Sequence, residues 1–309
     1  MRGPCRCFTG VGFVLALTAL SAGTAQAQTC AGGAAQACNA TVHDVMQLQP
    51  RLGIGLVGGN PVAGASSTLG MRIGRVPRIT VAGRVTGVNA DVRDDDLFTS
   101  INLDAAVGVF SGLTLLPTIG GFGSLDAIAS AGKVFLADRV SSEDPSSWAL
   151  GLRLGLLRES FTAPGVSVTG MYRKIGDAEF SLAAPSGAVE SYAMTDNSAL
   201  SVRAVVGKRL FVLGATAGVG WDKYQSDIDV ERSVSPLPGD TTGFAKDGHK
   251  SDRLTIFGNV SWTMLILNLV VEGGWQGGGD RFTFPLPSGQ SSKTDDGTYY
   301  GSLAIRLAL

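Results

Sequence analysis

The chain is short of the residues that most often carry chemistry. It holds two histidines and only 7% aromatics. Beyond the first 27 residues no stretch reaches the roughly 18 consecutive apolar residues that a spanning helix needs. The greasiest piece, Met264 to Val271, is interrupted by Asn268. There is no repeat of roughly 34 or 40 residues, which excludes solenoids and propellers. Basic residues are not in excess. Without Arg2 and Arg6 of the leader, 23 basic residues face 26 acidic ones, a net of −3. That excludes the positive footprint of a nucleic-acid binder.

The first 27 residues read as a secretory signal peptide. Arg2 and Arg6 supply a basic start, Val11 to Leu20 an apolar run, and Ala25-Gln26-Ala27 a small-x-small cleavage site. Ala27-Gln28-Thr29 ahead of Cys30 does not suit a lipoprotein anchor. Cys5 and Cys7 leave with the leader. Cys30 and Cys38 stay, and in an oxidising compartment two close cysteines are most simply a disulfide. The seven residues between them leave no room for a metal cage, with His43 the nearest histidine, so no metal and no cofactor are expected. Segment 28–49 is weakly amphipathic. It either inserts as a plug or trails in the periplasm, and the trailing tether is the expectation.

What the chain does have is glycine, 43 residues of it, and period-two alternation in pieces of about ten residues. Twelve strands are expected, near 50–58, 67–76, 78–92, 97–110, 123–137, 147–158, 164–180, 197–207, 210–230, 250–263, 266–284 and 296–309. Short links, such as Val76-Pro77-Arg78, Gly207-Lys208-Arg209 and the residues around Met264, lie at one end. Long polar loops such as "RVSSEDPSSW" and "SPLPGDTTGFAKDGHK" lie at the other. Trp148, Trp221, Trp262 and Trp275 each share the parity of their strand's apolar series. Trp148, Trp221, Trp275 and Tyr299 are expected at one membrane interface, Phe211 and Trp262 at the other. The last strand alternates too, with Leu303, Ile305, Leu307 and Leu309 set against Ser302, Ala304, Arg306 and Ala308.

Over residues 50–309 this pattern resembles Gram-negative outer-membrane β-barrels of the twelve-stranded size class. The resemblance implies an all-β fold: a closed antiparallel up-and-down transmembrane barrel in the cell outer membrane. It also implies contact with outer-membrane lipid and insertion by the barrel-assembly machinery. In that family the last residue is usually Phe; here it is Leu309.

The opposite parity then faces a lumen. Its ionised members are Arg72, Arg84, Asp104, Arg153, Arg173, Arg203, Glu272 and Arg306. A charge facing lipid at mid-depth costs about 2–4 kcal/mol for Arg, so these belong inside. Symmetric hairpins would set Arg84 opposite Asp104, Glu272 opposite Arg306, and Arg173 opposite Arg203 with Arg153 one strand away. The arginines would either form a basic strip that attracts small anions or be satisfied by carboxylates such as Asp177 and by water. The second is preferred.

Function is less legible. His249-Lys250-Ser251 resembles the His-x-Ser arrangement of outer-membrane phospholipase, a twelve-stranded barrel with its nucleophile and base on the outer wall, but the orienting group, Asn259, falls on the same strand. The pairing of aspartate and histidine in omptin-type barrel proteases has no counterpart. "GLVGG" and "GWQGGGD" precede no helix, so they are not phosphate cradles. "VRDDDLF" reads as a solvated acidic loop. The expected role is a narrow porin-like conduit for small solutes or a structural surface protein, not an enzyme. The alternatives are a lipid-acting barrel enzyme and a soluble secreted β-sandwich.

Overall fold

A computed structural model describes residues 47–71, 77–89, 97–114, 120–136, 144–183, 189–233, 243–277, 283–285, 291–293 and 297–308. The leader, Cys30, Cys38, segment 28–46, Arg72 and Leu309 lie outside the described residues.

Among the described residues thirteen strands follow one helix, α1, over residues 47–57. They are β1 (Ile79–Asn89), β2 (Leu97–Phe110), β3 (Ser124–Phe135), β4 (Ser146–Leu157), β5 (Gly165–Ile175), β6 (Ala178–Ala183), β7 (Val189–Leu210), β8 (Leu213–Ser233), β9 (Gly243–Met264), β10 (Leu267–Gly277), β11 (Thr283–Pro285), β12 (Ser291–Lys293) and β13 (Thr298–Ala308). One antiparallel sheet runs β5-β4-β3-β2-β1-β13-β10-β9-β8-β7 and closes through β5 and β7. The first barrel strand pairs with the last, with Val81 opposite Leu307 and Val85 opposite Leu303. A closed sheet has no exposed edge, which answers how an apolar strand can end the barrel safely.

Ten strands, not twelve, make the wall. The expected strand at 50–58 is α1, and described residues 67–71 are irregular apart from a bridge at Met71. The other ten expected strands each overlap one barrel strand, with β7, β8 and β9 running beyond the expected spans at their outer ends. β6 stands outside the barrel. The lower half of β7 pairs with β5, a register shift falls between Thr195 and Ser198, and the upper half pairs with β6 instead. Asp196 at that bulge has φ 51°. β11 and β12 form a small separate hairpin.

Alternation along the strands separates two faces. The outer face is Leu103, Leu150, Leu152, Leu154, Ile256, Val260, Leu269, Val271, Leu303 and Ile305, all exposed. The inner face is Thr80, Arg84, Thr86, Ser130, Arg153, Ser167, Arg203, Asp222, Asn259 and Glu272, all buried. This inversion rules out the soluble sandwich, whose apolar face would lie between two sheets. An apolar exterior around a polar interior is stable only in hydrocarbon.

The two ends differ as well. β7–β8 and β9–β10 turn through two residues each, Phe211-Val212 and Leu265-Ile266. The first of these turns lies three residues beyond the expected one. Lys208 and Arg209 look turn-like, but they remain in ladder with Ala215 and Gly214. This short-turn end also holds the start of β1 and the end of β13, and is the periplasmic side of an outer-membrane barrel. At the opposite end β7, β8 and β9 run to 21 or 22 residues. At about 3.3 Å per residue that is about 70 Å, far more than the apolar band of about 25 Å requires, so these strands project outward.

Candidate functional site: a lumen filled by the chain's own segment

Residues 47–71 lie inside the barrel. The helix α1 is buried along almost its whole length, with Leu48, Ile54 and Leu56 at 1% exposure or less. The strand expected here has a physical excuse. Leu52, Ile54 and Leu56 alternate with Gly53 and Gly55, and a helix surrounded by wall shows no polar stripe. Gln49 donates to the Ser226 hydroxyl at 2.5 Å, on the outward-projecting half of β8. Ser100 donates to the Gly55 carbonyl at 2.6 Å. Gly58, with φ 64°, ends the helix in the left-handed C-cap and donates to the Ile54 carbonyl at 2.8 Å.

Beyond the cap the chain has no regular structure, yet it is buried. Its backbone groups must therefore be paired by side chains. Four arginines from four strands do this. Arg203 donates to the carbonyls of Gly58 (3.2 Å) and Gly59 (3.1 Å). Arg84 donates to Asn60 at 2.7 Å, Arg306 to Ala63 at 2.6 Å, and Arg153 to Ala65 at 2.6 Å. Two carboxylates take the N–H groups. Glu272 accepts from Gly59 (2.9 Å) and Asn60 (3.0 Å), and Asp126 accepts from Leu69 at 2.9 and 3.1 Å. Arg84 and Arg203 also face the negative end of the helix dipole.

The wall charges are tied among themselves. Arg203 and Asp222 form an ion pair at 2.8 Å, both side chains at 0% exposure. Asp222 further accepts from Thr255 at 2.7 Å and Gln276 at 2.9 Å, and Gln276 donates to Tyr224 at 2.8 Å. Arg84 pairs with Asp104 at 3.0 Å. Arg173 donates to Ser147 at 2.9 Å and Ser130 at 3.0 Å. Apolar contacts complete the seat. Val62 meets Ala106, Ile128, Ala149 and Met171, Ala63 meets Val270 and Ala304, and Val57 meets Ala199 and Tyr224. Gly59 is tightly enclosed. A methyl there would lie 2.6 Å from the Phe257 ring and 2.8 Å from the Glu272 carboxylate.

The register differs from the symmetric one. Arg84 lies opposite Asn102, and Asp104 opposite Ala82, so their ion pair is diagonal. Glu272 faces Ser302 and Arg306 faces Asn268, four positions apart, and the two do not pair. Arg173 faces Ala199 and Arg203 faces Thr169. The loops are not symmetric: one carries β6 and a bulge, another carries β11 and β12. Arg153 also faces Thr169, so Arg153 and Arg203 share one level across β5. Asp177 is exposed and accepts from the Asp196 N–H at 3.3 Å. Asp126, Asp222, Tyr224 and the segment 58–65 were missed in the sequence, although Asp126 and Asp222 carry lumen parity.

The six aromatics expected at the interfaces lie on the outer face or at turns. Trp148 stacks edge-on with Tyr172 at 6.4 Å, and Trp275 is opposite Tyr299. Trp221 is half-buried beside Leu254. Trp262 faces Leu213 near the short-turn end, and Phe211 forms the β7–β8 turn tip. His249 and Ser251 are buried on the lumen face, where Ser251 accepts from Arg253 at 3.1 Å. The phospholipase arrangement needs the outer wall. Asn259 lies ten positions further along the same strand, about 33 Å away, and bonds Glu272 instead.

No protein-family model matches the chain, and no curated protein matches it. Among solved structures it is similar to the outer-membrane protease OmpT from Escherichia coli, at 10% identity over 75% of this chain and 96% of that one, TM-score 0.39. It is also similar to the translocator domain of autotransporter NalP from Neisseria meningitidis, at 10% identity over 89% and 99%, TM-score 0.42. A third is Ail, the attachment invasion locus protein of Yersinia pestis, at 8% identity over 75% and 97%, TM-score 0.29. The closed sheet, the apolar exterior and the unequal ends define the class: an integral outer-membrane β-barrel of the Gram-negative type.

Proposed function

We propose that the protein is a sealed surface barrel: a structural outer-membrane protein whose own residues 47–71 stop the lumen. The filled lumen carries this reading. An open porin-like conduit needs a water-filled interior, and here the arginines and carboxylates of the wall hold backbone instead. The chain runs from Gln49 beside Ser226, in the outward half, to Met71, which donates to Ser111 at 2.9 Å near the short turns. It therefore enters the lumen from the outer end. A gated conduit is the second reading, favoured by one observation: the plug is held largely by polar bonds, which water can replace.

Conductance in a planar bilayer tests the reading. The intact barrel is expected to be electrically silent, and a variant lacking residues 47–71 to conduct. Steady ohmic current from the intact barrel refutes the sealed state. Brief wild-type openings that rise with voltage favour the gated conduit.

A further inference from the structure

The lumen is not filled to its periplasmic mouth. Below the plug, among the described residues, lies a cavity of about 230 Å³ whose roof is residues 64–69. Its walls carry Arg78, Lys208, Arg209 and Arg306 against one acid, Glu159, an imbalance of three positive charges. Glu159 is already engaged by the backbone N–H of Arg209. None of the four cations is ion-paired with a described carboxylate. Two donors in the lining are buried and have no protein partner: Nε of Arg306, a residue 6% exposed, and the hydroxyl of Thr216, a residue 8% exposed.

A buried guanidinium with an unused N–H is costly unless something accepts from it. The other three cations do not relieve it, since like charges repel. An anion would. Arg306 approaches from β13, Lys208 and Arg209 from β7, and Arg78 from the chain just ahead of β1. Donors lining the cavity from two sides, β7 on one and β13 with the adjoining start of β1 on the other, suit a tetrahedral oxyanion with several terminal oxygens better than a planar carboxylate. A guanidinium matches two such oxygens at once, and an ammonium adds a point charge. Three excess charges favour a dianion over a monoanion.

We infer that this periplasmic vestibule is a binding site for a phosphate group, centred on Arg306 and completed by Lys208, Arg209 and Thr216. The group arrives either on a small soluble phosphomonoester or on a lipid head. The site rests on the seated plug for its roof, residues 64–69, while its cations belong to the wall and to the chain ahead of β1.

The purified full-length barrel, in a maltoside detergent free of phosphate, is titrated calorimetrically. The probes are inorganic phosphate, glycerol 3-phosphate, lysophosphatidate and, as a monoanion control, acetate. One saturable site is expected for the phosphates and none for acetate. Arg306→Gln is expected to weaken it about tenfold, the loss of one charge-assisted contact. Arg306 also holds the plug, so Lys208→Gln with Arg209→Gln serves as the second variant, because neither side chain bonds the plug. It is expected to weaken binding by a similar factor and to flatten the salt dependence, with unchanged heat-modifiable mobility. Saturation by the soluble phosphates assigns the ligand to the periplasm; saturation by lysophosphatidate alone assigns it to lipid. Equal binding of acetate, no saturation by any phosphate, or affinity unchanged in both variants overturns the site.

Discussion

Arg203→Ala is the sharpest single perturbation of the plug. The side chain is fully buried. Its removal strips Asp222 of a counter-charge at 2.8 Å and leaves the carbonyls of Gly58 and Gly59 without a donor. Breaking a buried pair by deleting one partner costs about 3–5 kcal/mol. Thr255 and Gln276 still donate to Asp222, which places the cost near the lower end. About 3 kcal/mol is roughly a hundredfold in the unfolding equilibrium. Urea unfolding, followed by the mobility difference between folded and unfolded barrel, reads it directly. A companion variant, Arg203→Met with Asp222→Leu, removes both charges and is expected to recover most of the loss. It does not restore donors to the plug carbonyls, so residues 58–65 are expected to become protease-sensitive while the wall stays folded. An Arg203→Ala barrel within about 0.5 kcal/mol of wild type, the range of an ordinary surface change, refutes the buried pairing.

Two further perturbations separate wall from plug. Leu152→Arg puts a charge on the lipid face near mid-strand, one residue from an arginine the lumen already holds, and is expected to cost about 2–4 kcal/mol of barrel stability in refolding titrations; a neutral result would mean that this face is not in hydrocarbon. Gly59→Leu cannot fit between Phe257, Tyr300 and Glu272, so the barrel is expected to form with the plug displaced and to conduct in a planar bilayer, whereas a silent, wild-type-like barrel would show that Gly59 is not packed there.

The wall was readable because lipid imposes strict alternation. Leu150, Leu152 and Leu154 can face only one way, and Arg153 only the other. The same rule reached Arg84 and Asp104, and missed their register by two positions because the hairpin is centred on residue 93, one residue short of the assumed centre. The plug was not readable. Helix α1 is enclosed by wall, so its surroundings give it no polar side, and glycines at 53 and 55 imitate a strand's small inward residues. Nor does sequence spacing say that Gly58 and Gly59 meet an arginine 144 or 145 positions away. The strand count fell from twelve to ten for that reason: residues 50–58 and the described part of the second stretch, 67–71, belong to the interior, not the wall.

Paired cysteines test the threading of residues 47–71 most directly, in a protein whose native cysteines are replaced by serine. Gln49→Cys with Ser226→Cys probes the outer end, where the native side chains meet at 2.5 Å. Thr68→Cys with Ser124→Cys probes the periplasmic end, where the hydroxyls also meet at 2.5 Å. Both pairs are expected to oxidise to near completion in the assembled barrel, and the crossed pair of 68 with 226 not at all. Failure of both matched pairs in a folded barrel, or efficient closure of the crossed one, would contradict a lumen threaded by its own chain from the outside inward.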